Sequence, residues 1–244
     1  MIKKYKHIII LAAGFIILVL VEYMAPDSSD WDMNFSKERK TPYGCYVLYD
    51  ILPNLFPGKN LYVNDQTPYL FFDNSFENRA YLAITRNFSP DREELEKILR
   101  FVAEGNTAFI AALNFCEPFM DTLNFTANFS FHPENLKKDS CAVNFYNPFL
   151  HADSGFCFDI GLLNGYFASF DTTKALVLGN NSSKQINFLK IPFKQGNIFL
   201  NLQPLAFTNY HILYSGKPSY ANHALAYLPE QNIIWDEYYK PGKV

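Results

Sequence analysis

The chain has 244 residues, 49% of them hydrophobic and 17% aromatic, and 21 Lys+Arg against 24 Asp+Glu give a formal net charge of -3. That apolar content excludes a disordered chain, and the slightly acidic balance, without a basic stripe interleaved with aromatics, excludes nucleic acid as a partner. The chain is long enough for one well-buried domain or two small ones.

The first element is apolar. Lys3, Lys4 and Lys6 precede the uncharged run IIILAAGFIILVLV (8–21). On length the run reads as the hydrophobic region of a signal peptide. Extended from Tyr5 to Ala25 it reaches about 21 residues, or roughly 31 Å at 1.5 Å per residue, enough to cross a bilayer. A cut after Ala25 would put the large Tyr23 where signal peptidase prefers a small residue. Residues 1–25 are therefore read as an uncleaved anchor held in inner-membrane lipid, with a removed signal as the alternative. The lysines before the run, and Glu22, Asp27, Asp30 and Asp32 after it, place the rest on the outer side of the membrane. The expected location is a bacterial inner membrane with the main domain on the periplasmic side.

Residues 26–40 are polar and aperiodic and read as a stalk; 41–240 read as the extracytoplasmic domain. Thr41 and Pro42 suit a helix start, with Tyr43, Tyr46, Val47, Asp50 and Ile51 on one face and Pro53 as a stop. NLYV (60–63) and AYLAIT (80–85) read as strands. SPDREELEKILRFVAEGN is the clearest helix, with Ser89 as N-cap, Pro90 at the first helical position, an apolar stripe of Leu95, Ile98, Leu99 and Val102, and Gly105 as a left-handed stop. TAFIAAL (107–113) is apolar on both faces, as a parallel strand covered by helices should be. Residues 116–163 show no helical period and read as an irregular, β-rich insertion. ALVLGNN, QINFLKIPF and GNIFLNLQP return to a two-residue period and predict an antiparallel meander. SYANHALAYL is a helix stopped by Pro229, and Asn232 to Trp235 a last strand. The expected fold is a three-layer α/β sandwich with a mainly parallel sheet, an antiparallel extension and the irregular insertion.

Four cysteines, Cys45, Cys116, Cys141 and Cys157, allow two disulfides in an oxidising compartment, and Cys141 with Cys157 is the best pairing because both flank one Phe-rich stretch; free buried cysteines are equally compatible. No CxxC, HExxH or calcium-loop pattern occurs, so His151, Asp153, Asp159, His211 and His223 read as loop or capping residues rather than metal ligands. Neither GxGxxG nor GxxxxGKS is present, and the helix after AYLAIT begins with Asp91, Glu93 and Glu94, which disfavours phosphate. Catalytic, cofactor and metal residues are thus all expected to be absent. Cys116 lacks the glycines of a nucleophile elbow, and Ser154 lies only three residues from His151.

SKERKTPYG (36–44), ASFDTTKALVLG (168–179), GNIFLNLQPLAFTNYHIL (196–213) and IIWDEYY, ending at Tyr239, together resemble a bacterial membrane-protein family known only as domain of unknown function 4350. The resemblance implies a flavodoxin-like or glutamine-amidotransferase-like sandwich without amidotransferase machinery. It also implies company with MoxR-type ATPases and von Willebrand A-domain membrane proteins, and, in longer members, a second membrane span after the acidic-aromatic segment.

The resulting expectation is a non-enzymatic domain that binds other envelope proteins, through a surface that includes Asn209, His211, Trp235, Asp236, Glu237 and Tyr238. Asp236 and Glu237 are adjacent on a strand end, so they should point to opposite faces and lie on a rim. The alternatives are a degenerate amidotransferase-like hydrolase, which requires Cys116 or Ser154 near a histidine, and a solute- or glycan-binding domain, which requires an aromatic-lined pocket.

Overall fold

The computed structural model describes residues 11, 14–16, 30–72, 76–130, 141–158, 164–214 and 220–241. The chain divides into two compact units, 1–30 and 31–244. Residues 11 and 14–16 of the first unit are helical; most of the predicted anchor lies outside the described residues, and no helix among those described is long and apolar enough to cross a membrane.

In the second unit a nine-stranded mixed sheet runs in the order β1-β11-β2-β3-β10-β9-β8-β5-β6. Its parallel core is β1 (Leu61–Asn64), β11 (Asn232–Asp236), β2 (Arg79–Phe88), β3 (Thr107–Phe115) and β10 (Gly196–Asn201). The predicted meander becomes β8 (Leu176–Asn181), β9 (Ile186–Phe193) and β10, and β5 (Cys141–Phe145) and β6 (Phe156–Phe158) continue it antiparallel. β4 (Phe125–Ser130) and β7 (Asn164–Phe170) form a separate two-stranded sheet. This is the α/β sandwich expected, with its parallel core and antiparallel extension.

Two cores flank the main sheet. One face, with Leu82, Ile84, Phe109 and Trp235, packs against α1 (Tyr46–Leu55), a short 3-10 turn (Pro204–Phe207) and α6 (Tyr220–Leu225). The other, with Tyr81, Ala83, Ile110 and Ile234, packs against α3 (Arg92–Ala103) and α4 (Glu117–Leu123). Alternation along each strand sends successive side chains to opposite cores, so the parallel strands are apolar throughout.

Several boundaries move, each for a local reason. α3 starts at Arg92 because Asp91 and Glu94 close a reciprocal capping box, which Ser89 cannot form. α1 starts at Tyr46 rather than Thr41 and carries Pro53 in its last turn. The insertion holds a real helix, α4, which has Pro118 in its first turn and stops at Asn124 in left-handed conformation (φ 53°). The compact second unit starts at Trp31, and Phe35 is fully buried with φ 54°. That left-handed backbone is costly for a bulky residue, and burying the ring offsets it.

Cys157 lies opposite Ala142 in the β5–β6 ladder, and its thiol is free.

Candidate functional site at the end of the last parallel strand

Three of the stretches singled out in the sequence meet in space: the loop 36–45, the segment at Asn209–His211, and the end of β11. A short strap, 237–241, follows β11 and turns back beside β2, which runs on to Phe88.

Asp236 and Glu237 do point to opposite faces, but they are not on a rim. Both are buried, at 0% and 2% exposure, together with Trp235 and Lys240. The strap itself covers them. Asp236 accepts hydrogen bonds from the Tyr81 hydroxyl (2.7 Å) and the Tyr239 amide (3.0 Å). Glu237 accepts from the Trp235 indole (2.8 Å), the Lys37 amide (2.9 Å) and the Ser36 hydroxyl (3.0 Å). Lys240 donates to the Ile84 carbonyl and lies 4.7 Å from the centroid of the Trp235 ring.

The two carboxylates titrate in opposite directions. Burial pushes Asp236 up to about 6, with the Lys240 charge and the bonds from Tyr81 and Tyr239 opposing it. Burial also raises Glu237, but Lys240 and its three donors outweigh that and hold it below the ordinary carboxylate value. The physical difference is that Asp236 is the more deeply buried and accepts from two donors, whereas Glu237 accepts from three.

Tyr239 extends the network. Its hydroxyl donates to Glu94 (2.8 Å), its carbonyl accepts from Thr85, and its ring packs on Phe88 at 4.8 Å. Glu94 is the same residue that closes the cap of α3, so the strap is tied to that helix start. Burial, the Glu94 charge and the hydrogen bond to Glu94 raise the Tyr239 phenol far above its usual value. Between Trp235 and Lys240, Tyr238 is the residue that stays partly exposed.

Asn209 holds the other side of the loop 36–45. Its side-chain oxygen accepts from the Val47 amide (2.8 Å), and its nitrogen donates to the carbonyls of Arg39 and Thr41, both at 2.8 Å. Cys45, at the N-cap of α1, offers no side-chain cap, so Asn209 supplies from 162 residues away the acceptor that an N-cap residue normally provides. His211 stacks with Tyr43 and meets Phe158 edge-on, and burial pushes it down to about 4. Its Nε2 has no hydrogen-bond partner among the described residues.

Gly44 sits under this clasp. A Cβ there would lie 2.0 Å from the Arg39 carbonyl oxygen, the one Asn209 holds. Gly44→Ala is expected to destabilise the domain by about 2 kcal/mol through overpacking, read as a lower urea midpoint at unchanged slope.

The remaining sequence candidates do not assemble. The Cys116 thiol donates weakly to the Pro90 carbonyl, and burial raises its pKa. The Ser154 hydroxyl donates to Gly155 O, in a cleft of about 240 Å³ that also includes Asn144, Asp153, Asn181 and Ser182. The His151 ring contacts Asn144 and the Phe145 carbonyl. Among the described residues neither candidate nucleophile hydrogen-bonds a histidine, and no group of three or more His, Cys, Asp or Glu side chains could hold a metal; Asp159 lies outside them. Sequence reading did not single out Asn187 and Gln203, buried amides whose side-chain nitrogen and oxygen have no partners among the described residues. Burial of an amide leaves no sequence signature.

A search among curated proteins returns no match. Solved structures give distant likenesses: a β-galactosidase from Bacillus circulans sp. alkalophilus (14% identity, TM-score 0.41, 64% of this chain and 24% of that one), an exo-β-1,4-mannosidase from Opitutaceae bacterium strain TAV5 (10%, 0.37, 55% and 22%), and a β-galactosidase from Rahnella sp. R3 (12%, 0.38, 54% and 21%). The chain spans under a quarter of the length of each, and likenesses this weak carry no argument about activity. The profile described as "Domain of unknown function (DUF4350)" matches residues 37–227, from inside the Ser36–Gly44 loop through the Asn209 segment. The chain belongs to the DUF4350 family.

Proposed function

We propose that this chain is a membrane-anchored, extracytoplasmic, non-enzymatic interaction domain of a bacterial envelope complex, working with a MoxR-type ATPase system. The observation that carries this reading is the filling of the space beyond β11. In open α/β sheets small ligands enter at the carboxyl ends of parallel strands, and at β11 that space holds the chain's own Tyr239 and Lys240, hydrogen-bonded to Thr85 and Ile84. Such a domain presents a surface rather than a pocket. Glu237 joins the loop that leads into the domain to the segment that leaves β11, which makes this end a rigid mount.

The test is photo-crosslinking and affinity purification of the full chain from bacterial membranes. The expected result is a carbonate-resistant protein, digested by protease only from the outer side, that retrieves von Willebrand A-domain membrane proteins. Recovery in the soluble fraction, or a catalytic turnover abolished by Cys116→Ala or Ser154→Ala, overturns the reading.

A further inference from the structure

Among the described residues β1 is the edge of the main sheet and pairs on one side only, with β11. The Asn60 carbonyl accepts from the Ile233 amide (2.9 Å) and the Asn64 carbonyl from the Glu237 amide (2.7 Å). In a parallel ladder alternate residues direct their backbone groups to the neighbouring strand. Asn60, Tyr62 and Asn64 therefore serve β11, and Leu61 and Val63 direct their N–H and C=O groups outward. Tyr62 and Val63 are exposed, as are Asn60 and Asp65 on either side of them.

The sequence around this edge is symmetric in character about Tyr62: Lys59-Asn60-Leu61-Tyr62-Val63-Asn64-Asp65. Antiparallel pairing of two copies about a two-fold axis through Tyr62 sets each residue opposite the one whose number sums with it to the same total. Leu61 then faces the partner's Val63 in a hydrogen-bonded pair, with both sets of outward backbone groups satisfied. Tyr62 faces its own copy in the closer, non-hydrogen-bonded pair. Lys59 faces Asp65, so opposite charges meet twice, and Asn60 comes opposite Asn64, which is already buried within its own subunit. Parallel pairing would set Lys59 against Lys59 and Asp65 against Asp65.

We propose that the chain self-associates through β1, two copies joining their sheets antiparallel about Tyr62. The occupant of this edge is a second copy because the edge is complementary to itself in backbone pattern, apolar residues and charge. Arg79, whose guanidinium lies 4.3 Å from the Tyr62 ring centroid, braces that ring from within its own subunit. The inference does not depend on the function proposed above, since it rests on the edge strand alone. A strand of four residues gives a weak contact, which suits a short, charge-flanked edge that resists indiscriminate pairing.

The test is a covalent trap in the full chain, in membranes, in a Cys141→Ser, Cys157→Ser background; Cys157 is the exposed thiol among the described residues. Tyr62→Cys is expected to give a disulfide-linked dimer on mild oxidation at least about tenfold faster than Leu70→Cys, which is exposed but lies off the edge. Lys59→Asp, added to Tyr62→Cys, should lower the dimer yield by about five- to tenfold because the reversal counts twice across the axis, and Asp65→Lys added to it should restore the yield to within about twofold. Equal trapping at positions 62 and 70, no recovery in the double reversal, or a position-62 crosslink to a different protein alone would each overturn the proposal.

Discussion

Lys240→Met is expected to destabilise the domain by about 3–5 kcal/mol, the range for breaking a buried ion pair from one side. Methionine keeps the unbranched stem against Trp235 but removes the cation that acts on both Asp236 and Glu237, which are almost wholly buried. Asp236 then has the simplest escape, since it is already raised to about 6 and can take up a proton. Asp236→Asn in the Lys240→Met background should therefore recover part of the loss, and the pair should be non-additive by about 1–3 kcal/mol. Urea unfolding of the two single variants and the double variant reads both numbers. A Lys240→Met midpoint equal to that of the parent chain would show that the cation does not hold these carboxylates.

The second large effect is a pair of opposed pH dependences. Asp236 is raised from the ordinary aspartate value of 3.8 to about 6. The folded state thus binds its proton more tightly than the unfolded state, so its contribution is full below pH 4 and is lost as pH rises through 6. His211 is lowered from 6.5 to about 4. Its contribution is full above pH 6.5 and is lost as pH falls through 4, because unfolding lets the ring take up a proton. Each shift of two or more units corresponds to about 3 kcal/mol at 1.36 kcal/mol per unit, and the two signs cancel between pH 4 and 6.5. Relative to the parent chain, Asp236→Asn should lose about 3 kcal/mol at pH 4 compared with pH 7, and His211→Phe, which keeps a ring against Tyr43, should gain a similar amount. Denaturant midpoints measured across this range decide the matter; parallel curves for both variants would mean that neither group is buried in the ionisation state described.

Much of the architecture is legible in one dimension. TAFIAAL and AYLAIT are apolar on both faces, and a strand with no polar face has to lie between two layers. The apolar stripe of α3 and the stop at Gly105 are likewise local, and the structure keeps both, with φ 98° at the glycine. The misses are local competitions with a close outcome. Asp91 displaced Ser89 as the cap because Asp91 has Glu94 three residues on. α4 was hidden because a seven-residue helix has too few turns to show a period.

The amino-acid sequence by itself determined the α/β class, the family, and the fact that Asp236 and Glu237 diverge from one another, since neighbours on a strand face opposite ways. Only the tertiary structure decided that they are buried. Burial depends on Lys240 folding back over Trp235, on Ser36 and Lys37 arriving from 200 residues away in the chain, and on Tyr81 standing on the next strand. The same holds for Asn209, whose capping of α1 replaces what Cys45 cannot supply. A carboxylate or an amide in a sequence states what it can bond. Which donors reach it is set by chain segments that no local pattern connects.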